Sequence, residues 1–478
     1  MIAHQEGALS QRLIDETCSG QSILPGQFMV HYNQRSMTMK SKSLVLLYVA
    51  VFLVPMVPNI WFFPIFVLLL YLTLAFDFNL IRKDLSRQHL ERVDLLVLIF
   101  LIFCSLSFLN VDLARRSLQN YLRYYFGSYL LPILSYFAFR LIRFSDERAR
   151  SLRNAALASG IIFSMFCFYE FAFSHPLVSE FDNPDQWIDS RVLRAGTLAG
   201  GSVHAGETMA GFIALILPFT FFRWPGKHRF RFLLLLLITL TGLTVVFSRA
   251  AYISTLACLL AASLLFYGGR VRWLVVVTVI LLLSLILVPL LSVPDWISAR
   301  LMDYSSTFAR VPRFWAGIDF IVDNVHMGWK AALFGRGYTS SYVWGGYYLQ
   351  PGYGVSATPD FFLSGGFHNG YLTLLADQGI LAFGCYMAIL IVAGRRLWRY
   401  CRQLRSLERR RLRSPALLEP VGWGLILVVH LVTETVHWSS YFPQTFYFFM
   451  ALAMLLNLTS SERPAELGMA IRQHMVVK

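Results

Sequence analysis

Residues 232–266 read FLLLLLITLTGLTVVFSRAAYISTLACLLAASLLF, two apolar runs, 232–247 and 250–266, with one charge, Arg249, between them. Each run is close to the roughly 17–25 apolar residues that carry a helix across about 30 Å of hydrocarbon. The stretch therefore predicts helix, tight corner, helix. The same pattern extends in both directions, with runs at 44–57, 61–76, 95–109, 122–141, 155–173, 209–222, 273–293, 371–392, 421–432 and 442–458. The composition agrees: 56% of residues are hydrophobic, 14% are charged and the mean hydropathy is +0.55, against roughly 25% charged in an ordinary soluble domain. The expected fold is an all-α polytopic membrane protein of about twelve transmembrane helices.

The formal charge of +15 does not point to nucleic acid, because Arg and Lys occur in short clusters between apolar runs and not along one amphipathic face. With the N-terminus inside, the basic segments 82–92, 140–153, 223–231, 270–272 and 395–413 all become cytoplasmic, as the positive-inside bias requires. Arg115 and Arg116 in the outer connection 110–120 run against it. The chain then divides into a cytoplasmic extension (1–42), helices one to nine (43–293), an outer loop domain (294–370), helices ten to twelve (371–458) and a cytoplasmic tail (459–478). Within the outer loop, Asp295, Asp303, Asp319, Asp323 and Asp360 offset Arg300, Arg310, Arg313, Lys330 and Arg336. A balanced loop translocates easily. Its aromatic and Gly residues, and an amphipathic stretch at 314–325, read as a folded cap. The six Cys are scattered without metal-ligand spacing.

Several residues on the expected outer side could perform chemistry. His368, in Gly365-Gly366-Phe367-His368-Asn369-Gly370-Tyr371, precedes a helix start, where the dipole disfavours an imidazolium and keeps a proton-accepting ring. The competing reading is a His that caps the helix or meets a headgroup. Arg249 has no charged sequence neighbour to neutralise it, so an anionic ligand explains it better than snorkelling to headgroups. Arg191 and Arg194 form a second outward pair and Arg310 and Arg313 a third, with Arg336 in Phe334-Gly335-Arg336-Gly337-Tyr338. Guanidinium groups bind phosphate oxygens in bidentate fashion, and several on one pocket would clamp a diphosphate. Glu170, Glu207 and Glu434 lie in or beside apolar runs and are a weaker signal. No outward Asp-x-Asp pair, Walker loop, dinucleotide fingerprint or Ser elbow is present.

The chain resembles the O-antigen ligase and O-antigen polymerase superfamily of bacterial envelope enzymes. The resemblance rests on His368-Asn369, nine intervening residues, then Gly379, and departs from the ligase signature at Ala382. Arg194-Ala195-Gly196-Thr197, Ser248-Arg249-Ala250, Arg313-Phe314-Trp315 and Leu333-Phe334-Gly335-Arg336-Gly337 follow in the expected order. It implies an inner-membrane glycosyltransferase with a periplasmic site, taking a glycan from undecaprenyl diphosphate without cofactor or metal. Arg194 and Arg249 would hold the diphosphate, His368 would act as base or orienter toward the acceptor hydroxyl, and displacement would invert the anomeric centre. Arg191, Arg310, Arg313, Arg336 and Asn369 would contribute to substrate binding. A polymerase extending a glycan and a ligase delivering it to lipid A-core both fit. A lipid or glycan transporter, which would be expected to show paired broken helices, is the reading from another class.

Overall fold

The computed structural model describes residues 48–49, 51–54, 71, 91–111, 118–142, 144–177, 187–188, 192–193, 195–196, 202–221, 227–266, 310–338, 340–341, 367–409, 415–436 and 442–459. Five helices are long and apolar enough to cross a membrane: Arg92–Asn110, Asp146–Phe173, Val203–Thr220, Gly370–Arg405 and Ala416–Thr435. Four shorter apolar helices join them, Phe126–Leu141, Phe230–Val246, Arg249–Leu265 and Gln444–Leu458. These match nine of the apolar runs in the sequence. The runs 61–76 (apart from Tyr71) and 273–293 lie outside the described residues, as does most of 44–57. The protein is an all-α membrane protein; its strands among the described residues are a two-residue antiparallel pair, Trp187–Ile188 with Val192–Leu193.

In chain order the helices are α1 (Arg92–Leu106), α2 (Leu118–Tyr125), α3 (Leu131–Leu141), α4 (Asp146–Phe173), α5 (Ser202–Phe221), α6 (Lys227–Val246), α7 (Arg249–Phe266), α8 (Arg310–His326), α9 (Trp329–Phe334), α10 (Gly370–Arg409), α11 (Glu419–Val436) and α12 (Phe442–Leu458). A π-helical turn, Phe126–Leu130, joins α2 to α3. Pro132 follows it and has no N–H to give the Ser128 carbonyl, which favours a wider turn there.

Two helices outrun their hydrophobic signal. α4 begins at Asp146, inside the stretch expected as loop 140–153, because Ser145 caps it, accepting a hydrogen bond from the Arg148 N–H at 3.3 Å, and Asp146 and Glu147 occupy its first turn. α10 runs to Arg409, through most of the expected linker 395–413, because Leu397, Cys401 and Leu404 continue its buried stripe. Hydropathy marks where a helix is apolar; capping and amphipathicity decide where its hydrogen bonding stops.

Two sets of contacts mark the two ends of the bundle. At the basic end, Arg140 on α3 binds Asp94 on α1 through Nε (2.7 Å) and Nη2 (2.8 Å) and donates to Asn457 on α12. Arg396 on α10 pairs with Glu91 and donates to Thr459 at 2.7 Å. Arg153 on α4 bonds Glu419 on α11 at 2.6 Å beneath the Phe219 and Phe232 rings of α5 and α6. The Arg140–Asp94 and Arg153–Glu419 pairs are largely buried and hold helix ends in register, since removing one partner strands a charge at about 3–5 kcal/mol. At the opposite end lie the α6–α7 corner, the starts of α5, α10 and α12 and the finish of α11. Among the described residues singled out from the sequence, Arg249, His368 and Asn369 lie at that end.

Candidate functional site

The His368 corner is built first by capping. Asn369 is the N-cap of α10: its Oδ1 accepts the Leu372 N–H at 3.0 Å, while its Nδ2 donates to the Thr435 carbonyl at the finish of α11, also 3.0 Å. Tyr371 Oη donates to the Leu431 carbonyl at 2.8 Å, a second staple between the same two helices. His368 itself has φ +50°, the left-handed conformation that costs a non-glycine residue about 1–2 kcal/mol. Such strain persists where surroundings impose it, and it concentrates at functional positions. Gly370 follows, and the Glu434 carboxylate of α11 lies so close against it that a Cβ there would overlap the carboxylate oxygen.

The Gly379 end of the motif does a different job. Gly379 interrupts α10 with φ +77° and ψ 179°, and a Cβ there would run into the Leu333 carbonyl and the Gly335 N. The loop enters this gap by backbone. Arg336 N–H donates to the Ala376 carbonyl at 3.3 Å and Gly337 N–H to the Asp377 carbonyl at 3.0 Å. Buried Asp377 accepts from Ser340 Oγ (2.8 Å) and Ser341 N–H (2.7 Å), and Asn110 on the far side donates to the Gly335 carbonyl at 2.7 Å. The Leu333-Phe334-Gly335-Arg336-Gly337 stretch and the His-Asn…Gly spacing are thus two halves of one joint.

α8 closes over this joint. Its stripe Arg313, Ala316, Gly317, Phe320 and Asn324 is buried, and Ala316, Phe320, Phe367 and Ala376 form a small apolar core. Phe320 and Phe367 meet edge to face at 5.6 Å, and Asn324 Nδ2 donates to the Ala376 carbonyl at 3.0 Å. Arg313, 4% exposed, sits one turn before Gly317, which packs on Phe367 and Leu372. Arg336 is held differently. Its guanidinium pairs with Asp323, donates to Asn324 Oδ1 at 2.5 Å and stacks over Phe320, so it ties α8 to the loop.

The Arg249 corner is formed in two residues, as its sequence predicts. Phe247 ends α6 in the left-handed conformation, φ +52°, and Ser248 caps α7, its Oγ accepting the Ala251 N–H at 3.4 Å. Arg249 is therefore the first residue of a helix, where a cation opposes the dipole while an anion is favoured. Gly206 of α5 packs directly on Ser248 and Ala251. Arg191 and Arg194 lie outside the described residues, as does the side chain of Arg310. Ala195, beside Arg194, donates its N–H to the Val245 carbonyl at 3.3 Å, and Gly196 N–H donates to Glu170 at 2.5 Å.

What sequence reading undervalued is the connection between the corners. Glu207 follows Gly206 and is 5% exposed, with His204 Nδ1 at 3.9 Å. Ser254 of α7 bonds Thr433 of α11 at 2.8 Å, and the next residue is Glu434, with His430 Nε2 at 3.5 Å from its carboxylate. Gln444 of α12 donates to the His204 carbonyl at 3.1 Å. Ionisable groups inside apolar helices are costly and mark functional interiors. The available clue was the spacing His430-x-x-x-Glu434 and His204-x-x-Glu207, which places each His and Glu on one helix face. No cluster of three or more His, Cys, Asp or Glu suited to a metal ion occurs among the described residues. Compared with known proteins, the chain matches no family model and no curated protein.

Proposed function

We propose that the protein is an inverting, metal-independent glycosyltransferase that moves a glycan from undecaprenyl diphosphate to an acceptor sugar hydroxyl during bacterial polysaccharide synthesis. The observation that supports this reading is that a helix-initiating Arg249 and the strained His368-Asn369 corner lie at the same end of the bundle, away from the Arg140 and Arg153 ion pairs, with their helices linked by Ser254–Thr433 and by Glu434 against Gly370. In this reading that end faces the periplasm of the inner membrane, about twelve helices span the bilayer, and 294–370 forms a cap between the ninth and tenth. Arg249 and Arg194, with Arg313, bind the diphosphate and stabilise its charge as the glycosyl bond breaks. His368 takes the proton of the attacking hydroxyl, and Asn369 fixes the corner that aims it. Arg336, committed to Asp323, holds the cap.

A transporter would use a broken helix to expose backbone groups to its cargo. The break at Gly379 is instead filled by the backbone of Arg336 and Gly337, which favours the enzyme. Incubating the purified protein with lipid-diphosphate-linked oligosaccharide, with and without lipid A-core, tests the proposal. A ladder formed without lipid A-core identifies a polymerase, transfer only to the core identifies a ligase, and no transfer to any acceptor rejects the enzyme.

A further inference from the structure

Two partly open cavities of about 30 Å³ each lie within the bundle, and His430 borders both. A cavity needs about 10–15 Å³ to admit a water, so each has room for one or two. The first lies between α5, α11 and α12 and receives Glu207, Thr433 and Gln444 among walls such as Phe212 and Tyr447. The second is bordered by Glu434, Gly370, Tyr386, Ser128 and Thr445.

The first cavity presents a specific imbalance. Neither carboxylate oxygen of Glu207 nor Oε1 of Gln444 has a hydrogen-bond partner among the described residues. The neighbouring Thr433 hydroxyl is engaged with Ser254 and the Val429 carbonyl. Glu207 and Gln444 thus bring three buried acceptors to the border of one small space whose nearest hydroxyl, that of Thr433, is already engaged. Burying an isolated carboxylate costs several kcal/mol, and a proton with water removes that penalty, whereas an empty cavity does not. From this space His430 leads to Glu434 at 3.5 Å, and Glu434 lies against Gly370. Tyr129, Tyr371 and Tyr386 surround Glu434 from the π-turn and α10, and His204 flanks Glu207.

We propose that Glu207, His430 and Glu434, bridged by water in these two cavities, form an internal proton path from the His368–Gly370 corner to the Arg249 corner. The inference rests on the transfer reaction proposed above. In that reaction the acceptor oxygen bonds to the anomeric carbon, the bond from that carbon to the diphosphate oxygen breaks with its electron pair, and the acceptor gives up one proton. His368 takes that proton and passes it to the path at Glu434, and the path releases one from Glu207 toward the departing diphosphate; Gly206, next to Glu207 in the chain, packs on Ser248 and Ala251 of the Arg249 corner. Atoms and charge balance, and no ion has to be drawn from the solvent.

Two measurements on the full chain in lipid nanodiscs test it. Dicyclohexylcarbodiimide adds to a carboxyl group that carries a proton in an apolar setting, and mass spectrometry locates the adduct. Glu207 and Glu434 are expected to label while exposed Glu147 does not. Glu207→Gln and Glu434→Gln are expected to lower turnover about 10²-fold, the scale of a lost proton-transfer group, with lipid-diphosphate binding within twofold of wild type. An unlabelled Glu207 together with a fully active Glu207→Gln variant would overturn the path and leave the transferase standing. A wild-type protein that labels at Glu207 but transfers no glycan would overturn the transferase reading itself.

Discussion

Replacing Gly379 by Ala tests the joint on which the His368 corner depends. At φ +77° and ψ 179° the backbone lies where a side chain costs about 1–3 kcal/mol. The new methyl would also meet Gly335 N at 2.5 Å, and backbone on both sides leaves no flexible atom to yield. Relieving the overlap stretches the hydrogen bonds from Arg336 N–H and Gly337 N–H to residues 376 and 377, worth about 0.5–1.5 kcal/mol each. The expected loss is about 2–5 kcal/mol, a large part of the roughly 5–15 kcal/mol that holds a typical fold together. Gly384 is the matched control. It lies farther along α10, a Cβ there meets nothing within 4 Å, and Ala at a helical glycine stabilises by up to about 1 kcal/mol. Thermal unfolding in mild detergent should show a clear drop for Gly379→Ala and an unchanged or higher midpoint for Gly384→Ala. Equal midpoints for the two variants would refute the close approach of loop and helix.

Arg249→Ala is expected to reduce glycan transfer about 10²–10³-fold while the protein still inserts and folds, with Lys restoring only part, because Lys supplies charge without the bidentate fork; full activity in the Ala variant would remove Arg249 from the diphosphate clamp. His368→Ala should lower turnover by roughly 10²–10⁴-fold and leave lipid-diphosphate affinity intact, and near-wild-type turnover would show that His368 only shapes the corner. For orientation, Met327→Cys on the exposed turn after α8 and Gln403→Cys late in α10 are suitable reporters; an impermeant thiol reagent added from outside should reach the first alone, and the reverse pattern inverts the topology.

The corner at Ser248-Arg249 was legible in the chain because a lone charge between two membrane-length apolar runs has few physical solutions. The amphipathic stretch 314–325 was legible for a similar reason and became α8. Gly379 was visible only as a spacing. Nothing local in Ala376–Ile380 says that backbone from residues 333–337 occupies the break, since that approach is made by chain more than forty residues away. That Arg336 pairs with Asp323 and Asn324 of α8 was likewise not legible, since no local pattern joins them.

By itself the sequence determined that this is a helical membrane protein, because transfer free energies add along the chain whatever the fold. Tertiary structure alone decided that Glu207 of α5 joins the His430–Glu434 pair of α11. Glu207 and His430 are more than two hundred residues apart in the chain, and a carboxylate's surroundings depend on which faces α5, α11 and α12 turn toward one another, a matter of packing that no local pattern encodes.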